Sequence, residues 1–549
     1  MNITEPQPGI HAPATQATRR LDFATGGLLA VLTLFRFWYD AQHELLQDEA
    51  YYWQWSRHLD WGYYDNTPLM APVIRLFTSL FGSTELGVRA GASVCALVIS
   101  LFVYLLAKRL FGPAVAVVSV VLANIIPLFA AGSVIMTQDP VQIAFWAAAL
   151  YVTQRALTDR PRWSWWVAAG ILAGLAAQAK LNALALLPGV FLYVLLSPTA
   201  RARWLRRPEP YVAGLIALLI FAPFVWWNHT HQNAFWIHAH AMASRGSGHD
   251  GLKWVLRFLG DQALLISPFF FLTYLAAISY CLYVALRHSA KEHDDSLVFL
   301  WCTSIVPFGA TFVTALKSKV EGNWAVDAYA SGVLLVAFVF VRLWDWQTHL
   351  GRFWNWLDGT TPRKSVLWSL NALKRTWVIM ACLFALVLGT VALFPNLLYN
   401  AGVKFPKATD DRTNELYGWR TLGERIQRER AAMGGDPFVF GINYRMPSEA
   451  AFYLPGQPQT YSLFLNYKSS EYRFWEDPDA LKGHDAVFLN DTDNQDHFDD
   501  LRAVFTRVEP QPPLLIFRKP PYATPIRTIQ IVRCYGFKGY DVKKWQDGW

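Results

Sequence analysis

The chain is short of charge. Only 16% of its 549 residues are Asp, Glu, Lys or Arg, against roughly 25% in an average soluble protein, which excludes an ordinary water-soluble globule. Cysteine is scarce as well. There are five, with Cys95, Cys281, Cys302 and Cys382 in apolar runs and Cys534 in a polar tail. No CxxC occurs, so the sequence offers no disulfide framework, zinc ribbon or thioredoxin-like centre. The first residues lack the pattern of a cleaved signal; Arg19 and Arg20 instead precede a full-length apolar run, the mark of a retained anchor. No internal repeat and no low-complexity stretch is present.

Apolar residues fill the space left by charge: 53% of the chain is hydrophobic and 15% aromatic. Runs of about 18 to 20 apolar residues, each long enough to cross a hydrocarbon core about 30 Å thick, recur up to position 395. They lie near 22–40, 84–107, 113–133, 140–157, 163–180, 182–197, 210–227, 259–286, 297–316, 325–343 and 376–395, eleven crossings in all. The mean hydropathy of +0.19 is low for such a protein, and the polar last third accounts for it. With the N-terminus inside, nineteen cations fall in inner loops and nine in short outer segments. The positive-inside rule therefore predicts an N-in, C-out orientation and accounts for the net charge of +8 without nucleic acid. The expected architecture is a mainly α polytopic membrane protein with surface helices in its first outer loop (41–83) and a C-terminal extracytoplasmic α/β domain. Residues 1–20 form a cytoplasmic tail, 21–397 the transmembrane module and 398–549 the soluble domain. In that domain 437–443, 459–463, 485–490, 514–519 and 527–534 read as strands and 412–431 as a helix.

The residues with chemical potential cluster in outer segments. Asp48 and Glu49 follow the first span and lead into AYYWQWSRHLDWGYYDNTP, an aromatic wall carrying Arg57, Tyr63 and Asp65. A carboxylate in a partly dry aromatic setting can act as a base, and aromatic faces suit sugar rings and isoprenoid chains. Equally, Asp48 could be a helix N-cap. Asp139, in MTQDP, has the same two readings, with Pro140 following as a first helical residue. A histidine-rich segment after 227 offers His229, His231, His238 and His240; Asp65 with one of them, His229 first, could hold a divalent ion. The segment ALKSKVEGNWAVDAY places Lys317, Lys319, Glu321, Asn323 and Trp324 on the outer face, where idle lysines are unexpected. The lysines and Arg245 suit a phosphate and Trp324 a ring.

The series DEAYYWQWSRHLDWGYYDNTP, MTQDP, WNH and KVEGNW resembles the bacterial GT-C membrane glycosyltransferases of the protein O-mannosyltransferase and lipid A aminoarabinose transferase type. The resemblance spans roughly residues 20–345, and the acidic pair and KVEGNW are its most specific parts. It implies inverting transfer of a sugar from a polyprenyl monophosphate carrier to an envelope glycolipid, polysaccharide or protein, at the periplasmic side of the bacterial inner membrane, without a nucleotide. Asp48 and Asp139 match the family's two catalytic acid positions. Glu49, Arg57, Tyr63, Arg245, Lys317, Lys319, Glu321, Asn323 and Trp324 become candidate substrate contacts. Asp65 falls at a metal-ligand position, with YYDNTP in place of a YFEKP-like segment, and His229 matches the WNH position. A divalent metal ion is thus a candidate cofactor. The competing classes are a polytopic lipid or solute transporter, disfavoured because the charges gather in outer loops without a repeat, and an envelope scaffold, for which eleven spans are excessive.

Overall fold

The computed structural model describes residues 16–244, 251–286, 294–344, 364–403, 411–463, 470–475, 477–491, 497–518 and 524–539. Among them, seven helices are long and apolar enough to cross a membrane: Gln16–Asp40, Glu85–Phe111, Glu209–Thr230, Pro268–Leu286, Asp295–Ala315, Gly322–Arg342 and Ala372–Leu393. The bent pair Leu181–Leu196 and Pro198–Trp204 makes an eighth if counted as one span. The remaining apolar runs form shorter or more polar helices. The run at 113–133 is divided by Pro127 into Pro113–Ile125 and Pro127–Gly132, and that at 259–286 by Pro268, behind a Ser267 with φ of 78°. A proline inside a helix removes a backbone donor and clashes with the preceding turn, so both runs break there.

Small residues bring the helices together. Gly170 and Gly174 sit one turn apart on the Trp163–Ala179 helix, and a Cβ at either would lie 2.5 Å from the Ala213 carbonyl or 2.8 Å from Ile220 Cβ. The Glu209–Thr230 helix therefore approaches backbone to backbone, the small-xxx-small mode of bilayer packing. The Gln178 amide seals the crossing by donating to the Ile220 carbonyl at 2.7 Å.

The tail folds around a five-stranded sheet, β1 (Phe438–Gly441), β2 (Thr460–Ser462), β3 (Ala486–Asp491), β4 (Phe505–Ile516) and β5 (Arg527–Phe537), in the order β2-β1-β3-β5-β4. β1 pairs in parallel with β2 and β3, and β5 lies antiparallel to β3 and β4. The sequence reading begins β4 at 514; the strand starts nine residues earlier. Pro510, Pro512 and Pro513 disguise it, and they are tolerated because β4 is an edge strand with a register shift between Gln511 and Leu514. The expected helix at 412–431 divides into a 3-10 turn, Arg412–Leu416, and the helix Trp419–Met433.

Sheet domain and membrane module share a core. Trp53, Trp55, Tyr63 and Met70 of the first outer loop pack in one cluster with Ala451, Phe452 and Tyr472 of the tail. Polar contacts reinforce it: Leu45 N–H donates to the Tyr453 hydroxyl at 2.8 Å, Trp419 N–H to Glu44 Oε2 at 2.8 Å, and Arg420 pairs with Glu85. The aromatic wall of the first loop is thus mainly a docking surface for the sheet domain.

Candidate functional site

The first outer loop contains the helix Gln47–Arg57. Its cap is not Asp48. Glu49 reaches back to accept from the Leu46 N–H at 3.0 Å, leaving Asp48 in the first turn, where the helix dipole favours a carboxylate. Asp48 Oδ1 accepts from the Tyr444 hydroxyl of the sheet domain at 2.9 Å. Its side chain is otherwise exposed to solvent. Burial raises its carboxyl above the ordinary value, opposed by the Tyr444 bond and the charge of Arg445.

Glu49 itself is fully buried, and Arg89 grips it with Nε at 2.9 and 3.0 Å and Nη2 at 2.5 Å. Glu49 Oε1 also accepts from Met136 N–H at 2.8 Å, while Arg89 donates to the carbonyls of His43 and Glu44. The expectation of a substrate contact at Glu49 is corrected: its oxygens are engaged by protein. Glu49 ties the residue beside Asp48 to the segment that ends at Asp139.

Asp139 opens the helix Gln138–Thr158 but does not cap it. One oxygen accepts from Lys180 Nζ and the other from Asn323 Nδ2, both at 2.6 Å. Three outer segments, 134–139, 180 and 317–325, thereby meet at one carboxylate. Below it Asp327 is fully buried, beside Gln142 and within electrostatic reach of Lys180 and Asp139. Asp139 also lines a largely apolar groove of about 390 Å³ between helices, with Ile99, Phe129, Leu264, Val326 and Leu388 among its walls. Burial raises the Tyr52 phenol well above its ordinary value, and the charges of Asp48, Asp65 and Asp139 add to the effect.

Asp65 accepts from the Tyr51 hydroxyl at 2.8 Å and faces His238 Nε2 at 3.5 Å; burial pushes its carboxyl up to about 7. The histidine at Asp65 is therefore His238 and not His229, which is exposed near Trp226. Helical phase decides this: His238 lies on the helix Ala234–Ser244 with its ring 5.2 Å from Tyr64. Among the described residues no group of three or more His, Cys, Asp or Glu could hold a metal ion. Asp65 and His238 are two donors, fewer than the three or four that a zinc site takes from protein.

Other expected contacts are placed elsewhere. Tyr63 is fully buried, stacked on Trp55 at 4.3 Å, with its hydroxyl on the Trp55 and His58 carbonyls. Arg57 donates to Gln54 and lies over Trp53. Lys319 pairs with Glu321 at 3.0 Å, and Lys317 is exposed. Among the described residues no hydrogen bond or ion pair joins either lysine to Asp48 or Asp139. The KVEGNW segment reaches the site through Asn323 instead. Trp324 packs, partly buried, against the helical core. Arg245 lies outside the described residues. Sequence reasoning left out Lys180, Tyr444 and Arg445; the one available signal was Lys180, a cation on the sparsely charged outer side.

A helical membrane body with Asp139 at the edge of an apolar groove, packed against an α/β sheet domain, has the architecture of the GT-C membrane glycosyltransferases. Residues 65–227 match the family described as dolichyl-phosphate-mannose-protein mannosyltransferase. It is 30% identical over 325 residues to lipid A galacturonosyltransferase RgtD of Rhizobium johnstonii, an alignment spanning 58% of this chain and 66% of that protein, just under two thirds. The fold matches apo ArnT from Cupriavidus metallidurans with a TM-score of 0.59 at 15% identity, covering 94% of this chain and 98% of that one. For ArnT bound to undecaprenyl phosphate the TM-score is 0.55 at 16% identity, covering 92% and 98%.

Proposed function

We propose that this protein moves a sugar from a polyprenyl monophosphate carrier to a lipid A-type glycolipid, with inversion, at the periplasmic face of a bacterial inner membrane. The N-terminus is then cytoplasmic and the domain after residue 398 periplasmic, as the charge distribution favours. One observation supports the reading: Asp48 is exposed with a single hydrogen bond, while Asp139, Lys180 and Asn323 converge at the edge of an apolar groove. The names of the relatives supply the substrate classes, lipid A and a galacturonosyl group in one case, undecaprenyl phosphate in the other.

In the reaction an acceptor hydroxyl oxygen attacks the anomeric carbon and forms the new C–O bond. The bond from that carbon to the carrier's phosphate oxygen breaks, and its electron pair leaves with the polyprenyl phosphate. The hydroxyl proton passes to Asp48, whose burial-raised carboxyl makes it a stronger base than a solvated aspartate. The isoprenoid chain occupies the apolar groove. Lys180 and the Asn323 amide, held by Asp139 at its mouth, stabilise the charge that gathers on the departing phosphate.

The test is transfer by purified protein in lipid nanodiscs, using polyprenyl-phosphate sugars and lipid A. Asp48→Asn should lower kcat by ~10²–10⁴, the range of a lost general base, while donor binding persists. Wild-type turnover in that variant removes Asp48 from the mechanism.

A further inference from the structure

A second groove, of about 350 Å³, lies at the opposite end of the membrane module from Asp139. The helix Gln138–Thr158 fixes that separation. Asp139 is in its first turn, and the Leu157 carbonyl near its far end accepts from the Trp204 indole N–H at 2.8 Å. Trp204 lines the second groove and so stands roughly 27 Å of helix away from Asp139. The groove runs between the helices Trp163–Ala179, Leu186–Leu196 and Glu209–Thr230, and its walls are almost wholly apolar. Leu215 and Leu218 are exposed along it, which leaves it open sideways to the surrounding hydrocarbon. Gly214 keeps it open, because a Cβ there would meet nothing within 4 Å.

One end of this groove is polar. Trp166 and Trp204, both in its lining, meet there with ring centroids 5.0 Å apart. Trp166 is 2% exposed, and its indole N–H has no partner among the described residues. Buried donors normally find an acceptor, so this one asks for a group the chain does not supply. Two guanidiniums stand over the Trp204 ring, Arg203 at 5.0 Å and Arg207 at 5.4 Å from its centroid. Arg203 is engaged with the carbonyls of Leu157, Thr158 and Asp159. Arg207 is freer: Glu209 is 3.7 Å from it, beyond a hydrogen bond, and its side chain is 45% exposed. Arg206 beside it is exposed. Asp159, the other acid at this end, is held by Arg109 and Arg155. Positive charge is common at inner membrane ends, but that bias explains neither the groove nor the unpaired indole donor.

We propose that this groove binds an anionic glycerophospholipid. One acyl chain lies along Gly214, an ester carbonyl accepts from the Trp166 N–H, and the phosphate meets Arg206 and Arg207 at the membrane surface. The succession of apolar walls, one donor and then cations follows a phospholipid from chain to ester to phosphate. A polyprenyl phosphate has no carbonyl between chain and head, so the donor selects the glycerolipid. The bound lipid braces the bent pair Leu181–Leu196 and Pro198–Trp204, which supplies one wall of the groove. None of this depends on the glycosyltransferase reading.

The full-length protein is equilibrated in detergent with equal amounts of phosphatidylglycerol and phosphatidylcholine, and native mass spectrometry counts each lipid retained. Wild type should prefer phosphatidylglycerol by ~30-fold, about fivefold for each of the two arginines. Replacing both, Arg206→Ala with Arg207→Ala, should erase that preference. Gly214→Leu has room for its side chain and favours the helix; it should lower retention of both lipids by ~10-fold or more, the loss expected from displacing two methylenes. Melting in lipid-free detergent checks that each variant is folded. Full retention by Gly214→Leu would reduce the arginines to a diffuse surface attraction and overturn the groove site. Equal retention of the two lipids by wild type would overturn the anionic assignment. Displacement of phosphatidylglycerol by equimolar undecaprenyl phosphate would overturn the proposal in favour of a polyprenyl occupant.

Discussion

The two acids of the site live under opposite conditions. Asp139 has one oxygen on a lysine and the other on an amide, each at 2.6 Å, at the edge of the apolar groove. Asp48 has one bond, to a tyrosine from the sheet domain, and an open face. A carboxylate with both oxygens engaged orients its neighbours, while one with a free oxygen can accept a proton. The Asp139 side of the site is accordingly a neutralised and positioned cluster, and in the proposed mechanism the Asp48 side is the reactive one. Glu49 and Arg89 hold the two at a fixed separation, since Glu49 is adjacent to Asp48 and also binds the Met136 N–H three residues before Asp139.

The comparison breaks most severely at Glu49. Glu49→Ala leaves Arg89 charged and buried without its partner, and should destabilise the fold by about 3–5 kcal/mol; thermal unfolding in detergent measures it, and both acids should lose their effect together. Lys180→Ala removes the cation from the groove mouth only. Transfer should fall by ~10²–10³, with a raised KM for the donor that Asp48→Asn does not share; unchanged donor dependence would separate Lys180 from the phosphate. Tyr444→Phe touches the Asp48 side alone and should have the smallest effect, roughly tenfold on kcat at neutral pH for one hydrogen bond to a charged group. Its pH dependence is the sharper readout. Asp48 works deprotonated, so activity falls as pH drops through its pKa. The Tyr444 bond favours the charged form; removing it raises that pKa, and the acid limb should move to higher pH. A limb that stays in place, or moves to lower pH, would assign it to another group.

Much of the fold was legible because bilayer spans and buried strands are written in local hydrophobicity. The long apolar runs and four of the five strands follow from it. β4 was half hidden because its prolines are compatible only with an edge, and edges are a property of the sheet. The runs at 113–133 and 259–286 read as continuous because hydropathy averages over the proline that divides each of them. In the site, Lys317 and Lys319 drew attention by their spacing, yet Lys180 holds Asp139. The aromatic wall looked like a sugar platform, and most of it is an interface, with Trp53 edge-on to Phe452 at 5.0 Å and His58 stacked on Trp475 at 4.6 Å.

The amino-acid order alone determined that this chain carries many segments long and apolar enough for a membrane and that acids accumulate between them, because these depend on the solvation of contiguous residues. Only tertiary structure decided which groups meet. Lys180 with Asp139 and Asn323, His238 with Asp65, and Tyr444 with Asp48 are separated by tens to hundreds of positions. Their encounter depends on helix crossings at Gly170 and Gly174 and on the docking of the sheet domain, and packing between distant surfaces leaves no periodic trace in either partner.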